Sequence, residues 1–223
     1  MTPPAAPPEV DFTLYLVTDR HQTLSRSLAT VVEEALAAGV QAVQLREKDL
    51  NSRDLYELAY ELRKLTTRYG ARLLINDRLD IAQAVEADGV HLGGNSLPIY
   101  RARQILGRRM LIGVSCHNQV NAITAQEKGA DFITFGPVYF TPSKAQYGAP
   151  VGLDKLQNLA QIVRIPVFAI GGITPATARA AIDAGASGIA LISAILAAES
   201  PGSEARSLLS LLPVPAPHTA AHV

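Results

Sequence analysis

The residues that could do chemistry begin with three cations in two short motifs. Arg46 and Lys48 lie in Gln44-Leu45-Arg46-Glu47-Lys48, and Lys144 closes Thr141-Pro142-Ser143-Lys144. A guanidinium offers a planar fork of donors that matches phosphate oxygens, and an ammonium adds a compact charge. Arg46 and Lys144 therefore read as phosphate ligands, and Lys48 reads equally well as a surface partner of Glu47 or Asp49. Asp77, within Asn76-Asp77-Arg78, is a hard oxygen donor suited to Mg2+, which keeps several waters and bridges to substrate phosphates. The same residue could N-cap the helix that follows it. His117, in Ser115-Cys116-His117-Asn118, is of a type that moves protons near neutral pH, or it is a hydrogen-bonded structural residue. His91, next to last in its apolar run, is expected to point inward. Cys116 reads as packed rather than nucleophilic, because no fixed base is evident beside it. Gly171-Gly172-Ile173-Thr174 would let backbone approach an anion closely, and Ser193 opens a helix whose free N–H groups favour negative charge.

These groups need a scaffold that brings them together. Eight apolar runs of about five residues recur along the chain: Leu14–Val17, Gln41–Leu45, Arg72–Ile75, Asp88–Leu92, Leu111–Ser115, Asp131–Phe135, Pro166–Ile170 and Ser187–Ile192. Helical spacing fills the intervals, as in Leu55, Leu58, Ala59, Leu62 and Leu65 on one face of Asp54–Tyr69. Further helices are expected over Leu28–Ala38, Leu79–Glu86, Leu97–Leu106, Val120–Lys128, Leu153–Val163, Ala176–Ala184 and Glu204–Leu212. Such alternation predicts parallel βαβ units. One helix-to-strand junction is echoed four times: Ala38-Gly39-Val40, Lys128-Gly129-Ala130, Ala184-Gly185-Ala186, and the shorter variant Ala87-Asp88-Gly89. A glycine there would close each helix in the left-handed conformation. An open doubly wound sheet would show a glycine-rich dinucleotide loop after its first strand, and nothing of that kind follows Val17. The expected fold is therefore an α/β, single (β/α)8 barrel of the TIM type over residues 13–212. Its site lies at the C-terminal ends of the strands, where six successive strands deliver polar groups.

Composition limits the partners. The 223 residues carry 20 basic and 20 acidic side chains, so no net field recruits nucleic acid or an anionic membrane. Aromatic residues are only 5% of the chain, which leaves Ala, Leu, Ile and Val to build the core. A single cysteine excludes an internal disulfide and suits a reducing cytoplasm. No apolar run is long enough to span a bilayer. Residues 1–12 and 213–223 are rich in proline and alanine, lack the features of a secretion signal, and are expected to be mobile tails.

Over residues 14–200 the chain resembles the thiamin-phosphate synthases and their relatives, the thiazole tautomerases. The resemblance is carried by Gln44–Lys48, Asn76-Asp77-Arg78, Gly89-Val90-His91-Leu92-Gly93, Gly113-Val114-Ser115-Cys116-His117, Gly136-Pro137-Val138, Thr141–Lys144 and Ala169-Ile170-Gly171-Gly172-Ile173. It implies coupling of an aminopyrimidine diphosphate to a thiazole phosphate, with release of pyrophosphate and assistance from Mg2+. By the same resemblance Arg46, Lys48, Asn76 and Lys144 hold the diphosphate and Asp77 holds Mg2+. Gln44, His91 and Ser115 border the pyrimidine, and Gly171, Gly172 and Ser193 hold the thiazole phosphate, with Thr141 and Ser143 as further substrate contacts. Arg46, Lys144 and His117 are the candidate catalytic residues. The sequence departs from the synthase pattern in one place. Where synthases carry a second acidic metal ligand after the His-x-Gly of strand four, this chain has Gly93-Gly94-Asn95-Ser96. Mg2+ accepts water in place of a protein ligand, so synthase chemistry is the reading preferred. The alternatives are a thiazole tautomerase with His117 as proton shuttle and a catalytically silent phosphate-binding barrel that regulates a partner. A homo-oligomer paired through outer helices is compatible with the pattern, and Ala145–Pro150 is a candidate lid.

Overall fold

Each apolar run pairs with the next as a parallel strand, and the last pairs with the first. In the computed structural model, which describes residues 9–142 and 148–214, the strands are β1 Leu14–Val17, β2 Ala42–Leu45, β3 Arg72–Asn76, β4 Gly89–Leu92, β5 Leu111–Cys116, β6 Phe132–Phe135, β7 Val167–Ile170 and β8 Gly188–Leu191. They close in sequence order, β8 aligning Ala190 with Tyr15 of β1. The architecture is the expected (β/α)8 barrel. Around it run α1 Leu28–Ala37, α2 Ser52–Tyr69, α3 Leu79–Ala84, α4 Ile99–Leu106, α5 Gln119–Glu127, α6 Gly152–Ile162, α7 Pro175–Asp183, α8 Ser193–Leu196 and α9 Pro201–Leu209. The C-terminal segment differs most from the sequence reading. The one-turn α8 precedes the final helix, and α9 starts at Pro201, whose fixed φ and missing N–H suit the first helical turn. Among the described residues no helix is long and apolar enough to cross a membrane.

The repeated junction works through backbone bonds. At three of the four echoes glycine turns left-handed (Gly39 φ 104°, Gly129 φ 97°, Gly185 φ 92°), and the next N–H returns to the helix, as Val40 N does to Ala35 O at 3.1 Å. The fourth echo corrects the sequence reading. Glu86, not Gly89, takes the left-handed position with φ 52°, and Ala87 N closes onto Ala82 O at 2.9 Å. One residue later a side chain accepts an N–H at the neighbouring strand's start. Gln41 takes Thr13 N, Asp88 takes Leu73 N, Asp131 takes Ile112 N and Ser187 takes Val167 N. These pins satisfy donors at the strands' N-terminal ends, which would otherwise be buried without partners.

Between strands and helices lies a large aliphatic core, and a second cluster fills the barrel itself. Inside, Tyr15, Phe132 and Phe168 meet edge to face, with centroids 5.4 to 6.2 Å apart. Phe12 seals them from below, 5.1 Å from Phe168 and 5.4 Å from Phe132. Space for these rings comes from small residues on the facing strands. A Cβ on Gly113 would meet His91 Nδ1 at 2.6 Å. The fold therefore takes in Asp11 and Phe12, ahead of the boundary expected at residue 13. Phe12 is buried at the barrel floor, and Asp11 pairs with Arg72 at 2.8 Å. At the other end Val214 is exposed, and residues 215–223 of the expected tail lie outside the described residues. Along the barrel axis the interior changes from these aromatic rings to Gln44, Asn76, His91, Ser115 and Thr134. Register places Asn76 beside His91 and Ser115 beside Thr134.

Candidate active site

The loop after β2 is clamped by the loop after β1. Thr18 N extends the ladder to Gln44 O at 2.9 Å, and the Thr18 hydroxyl donates to Glu47 Oε1 at 2.6 Å while accepting Arg46 N at 2.9 Å. Glu47 is buried and also accepts from the Arg20 backbone N–H and from Arg20 Nη1 at 3.1 Å. Arg20 forks onto both oxygens of Asp49 at 2.6 Å, and this guanidinium holds the exposed Asp49 carboxyl below the usual carboxylate range. Both acids that could have neutralised Lys48 are thus taken by Arg20. Among the described residues Arg46 and Lys48 form no ion pair. Sequence reading missed Thr18, Arg20 and Glu47 as positioning residues. The signal available was an acid between two cations that a buried loop could not leave unpaired.

Strand β3 ends in a tight turn. Arg78 N reaches Asn76 O at 2.7 Å across Asp77, whose φ of 61° is uncommon for a residue with a Cβ. Asp77 N is held by His91 O at 3.0 Å, which ties the turn to β4. The Asp77 carboxylate projects to the exposed end of the barrel and accepts from Asn76 Nδ2 at 2.9 Å and from the Ser96 hydroxyl. Ser96 Oγ in turn accepts Gly93 N at 2.5 Å. The alternative role for Asp77 is not realised, because α3 is entered at Arg78 without a side-chain cap. Arg78 itself is engaged by Asp80 at 2.6 Å and Ser52 at 3.1 Å.

Beneath this turn a polar network crosses the barrel. Gln44 Nε2 donates to the Tyr15 hydroxyl at 3.0 Å, Tyr15 Oη lies 3.3 Å from His91 Nδ1, and His91 Nε2 lies 3.0 Å from Ser115 Oγ. Thr134 approaches Ser115 at 3.5 Å. Burial pushes the His91 imidazole down to about 3, with Asp77 opposing and Arg46 adding to the shift. His91 therefore points inward as expected and is neutral at physiological pH. The bond from Asp77 N to His91 O at 3.0 Å places the Asp77 turn directly beside this network. Tyr15 was not singled out by sequence.

The remaining expected residues reach the same rim from β5 to β8. His117 is exposed, and its Nδ1 lies 2.6 Å from Gly136 O, so that nitrogen carries a proton and donates to the carbonyl while Nε2 faces away from this bond. Cys116 is buried, and burial pushes its thiol up to about 12, in keeping with a packed role. The segment after β6 pairs with the end of β7 through Val138 N to Ile170 O and Tyr139 N to Gly171 O at 2.9 and 3.0 Å. Gly171 and Gly172 follow with φ of 92° and 66°, and a Cβ on either would strike Pro137 at 2.5 Å or Phe140 O at 2.7 Å. Only glycine fits both positions. At the start of α7 the Thr177 hydroxyl then accepts Thr174 N at 2.9 Å. Ser193 is exposed at the first position of α8. Thr141 is half-buried at the edge of the same loop, whereas Ser143, Lys144 and residues 145–147 of the candidate lid lie outside the described residues.

The chain is similar to known proteins over most of its length. The family model described as thiamine monophosphate synthase matches residues 14–195. A relative from Geobacter sulfurreducens is 60% identical over 205 residues, covering 92% of this chain and 96% of the relative. A thiamine-phosphate synthase of Chloroflexus aurantiacus is 45% identical, covering 92% and 94%. Among solved structures, a thiamine phosphate pyrophosphorylase from Pyrococcus furiosus superposes with a TM-score of 0.83 at 38% identity, covering 90% of this chain and 95% of that one.

Proposed function

The chain belongs to the thiamine monophosphate synthase family, and from that membership we propose a specific reaction and a role for each residue of the rim. Its activity is that of a thiamine-phosphate synthase, a transferase acting on small phosphorylated substrates. In our reading the substrates are 4-amino-2-methyl-5-hydroxymethylpyrimidine diphosphate and thiazole phosphate. The bond from the pyrimidine methylene carbon to the diphosphate oxygen breaks, the thiazole nitrogen supplies the electron pair for the new C–N bond, and pyrophosphate leaves. The observation that carries this reading is the pair of cations, Arg46 and Lys48, left without acids while Arg20 takes both neighbouring carboxylates. Fixed positive charge beside a leaving diphosphate stabilises what develops in the transition state, without reorganisation at the moment of reaction. Arg46, Lys48, Asn76 and Lys144 hold the diphosphate, with Arg46 and Lys144 stabilising its departure. Gln44, His91 and Ser115 orient the pyrimidine. Gly171, Gly172 and Ser193 hold the thiazole phosphate, and Thr141 and Ser143 are further substrate contacts.

Asp77 and Ser96 bring a carboxylate and a hydroxyl into contact at the rim. No group of three acidic, His or Cys ligands occurs among the described residues. This donor set fits Mg2+, which binds through one or two carboxylates plus substrate phosphates, better than a metal that needs an all-protein cage. Asp77 would hold the ion, with Ser96 beside it, and the ion would neutralise charge on the diphosphate. We place the protein in the cytoplasm, where its one buried thiol stays reduced.

The test uses the full chain with both substrates and Mg2+. Formation of thiamin phosphate, abolished by EDTA and by Lys144→Ala, is expected. No formation with wild-type protein under saturating conditions refutes the assignment. A second reading, thiazole tautomerisation, is favoured by the free Nε2 of His117 and by Ser96 at the place of an acid. It requires turnover of the thiazole carboxylate phosphate that His117→Asn abolishes, and absence of that turnover excludes it.

A further inference from the structure

Tyr15 lies deep in the barrel, its ring packed between Phe132 and Phe168, and its one polar atom touches two other side chains. The directions of these bonds are forced in turn. Gln44 Nε2 can only donate, so the Tyr15 oxygen accepts there at 3.0 Å. The phenol's single hydrogen then goes to the remaining neighbour, His91 Nδ1 at 3.3 Å. An imidazole that accepts at Nδ1 and is neutral carries its hydrogen on Nε2, which lies 3.0 Å from Ser115 Oγ. Ser115 accepts from His91, so its own hydrogen is left to donate toward the half-buried end of β5, where the site opens. Gln44, with one N–H spent on Tyr15, keeps an acceptor and a second donor. The amide of a glutamine pairs well with an exocyclic amine beside a ring nitrogen, which is the edge an aminopyrimidine presents.

We infer that Tyr15 is a positioning residue that sets the hydrogen-bond polarity of the pyrimidine pocket, by fixing His91 as its Nε2–H tautomer and thereby making Ser115 a donor and holding the Gln44 amide in one orientation. The consequence is selectivity for a 4-amino over a 4-oxo pyrimidine, whose donor and acceptor pattern is reversed at that edge. Tyr15 touches no substrate in this scheme. The inference rests on the pyrimidine assignment for its ligand, but its tautomer arm does not.

The test has two arms. In the first, protein with 15N-labelled histidine rings is examined by NMR, with His91→Gln assigning the His91 signals. Wild-type His91 is expected to be neutral and protonated at Nε2, and in Tyr15→Phe that preference is lost. A wild-type His91 protonated at Nδ1 overturns the inference with no variant needed. So does a tautomer unchanged in Tyr15→Phe. In the second arm, binding of the 4-amino pyrimidine diphosphate and of its 4-oxo analogue is measured by calorimetry. Tyr15→Phe is expected to reduce the ratio of affinities by about tenfold, with KM for thiazole phosphate unchanged. An unchanged ratio, or an equal loss for every ligand including the thiazole phosphate, shows a merely structural role and refutes the selectivity claim. If wild-type protein binds neither pyrimidine, the pyrimidine assignment fails and the selectivity with it, while the tautomer arm still decides what Tyr15 does to His91.

Discussion

Replacing Ser96 with aspartate tests how the rim handles charge. The Ser96 hydroxyl already contacts Asp77 Oδ1 and is anchored by Gly93 N, so a carboxylate grafted there lies within about 4 Å of Asp77. Two unit charges at about 4 Å repel by about 1 kcal/mol in a water-like medium and by about 4 kcal/mol at an effective dielectric constant of about 20. Asp77 is exposed, which selects the lower figure. Without divalent ions, Ser96→Asp is therefore expected to lose about 1 kcal/mol of stability by chemical denaturation. With Mg2+ that repulsion becomes attraction to a shared cation, and affinity for the ion should rise about tenfold or more, since each factor of ten is about 1.4 kcal/mol. Calorimetric titration with Mg2+, and melting with and without it, measure both quantities on protein without substrate. If Ser96→Asp binds Mg2+ no better than wild type and melts alike in EDTA and in Mg2+, Asp77 and Ser96 do not form a cation site, and the metal assignment falls.

Three other perturbations follow from the same geometry. Glu47→Ala strips acceptors from Thr18 and from the Arg20 backbone; breaking a buried pair costs about 3–5 kcal/mol, but Arg20 is 29% exposed and keeps Asp49, so about 2 kcal/mol is expected. Denaturation will measure that loss alongside a raised KM for the diphosphate substrate, and a change below about 0.5 kcal/mol would show that the clamp is incidental. Gly171→Ala places a Cβ against Pro137 at a φ of 92°, and should raise KM for thiazole phosphate about tenfold while leaving pyrimidine binding intact; equal effects on both substrates would contradict the division of the rim. Because His91 is held near 3 when folded, against about 6.5 unfolded, the unfolded chain gains a proton that the native chain refuses as pH falls below about 6.5. Stability attributable to His91 is thus present at neutral pH and is lost toward pH 3, by about 1.4 kcal/mol per pH unit. Unfolding free energies of wild type and His91→Gln between pH 4 and 6.5 should diverge in slope by that amount, and parallel slopes would disprove a buried neutral imidazole.

The ring of strands was legible because each apolar run is bounded by the same junction chemistry, and glycine at residues 39, 129 and 185 announces a left-handed closure that few other residues adopt. Glu86 occupies the fourth such position, and a residue that tolerates strain leaves no mark in a sequence. The rim was legible because polar residues at the ends of buried strands stand out from their apolar surroundings. Tyr15 did not stand out. Strands of a closed barrel are buried on both faces, so an inward ring and its outward neighbours form one unbroken apolar run. The hint that was present is the phenol itself, which when buried must find a partner. The Glu47 clamp was hidden for a different reason: its partners Thr18 and Arg20 are 27 to 29 residues away, joined only when two loops meet. Phe12 falls within the expected tail because it follows the proline-rich stretch that ends at Pro8 and precedes the first apolar run.

Phe12 beneath Tyr15, Phe132 and Phe168 leaves the barrel with a stopper at one end. The barrel is thus closed at that end by packed rings, and anything that comes to rest at the depth of His91 comes and goes past the rim.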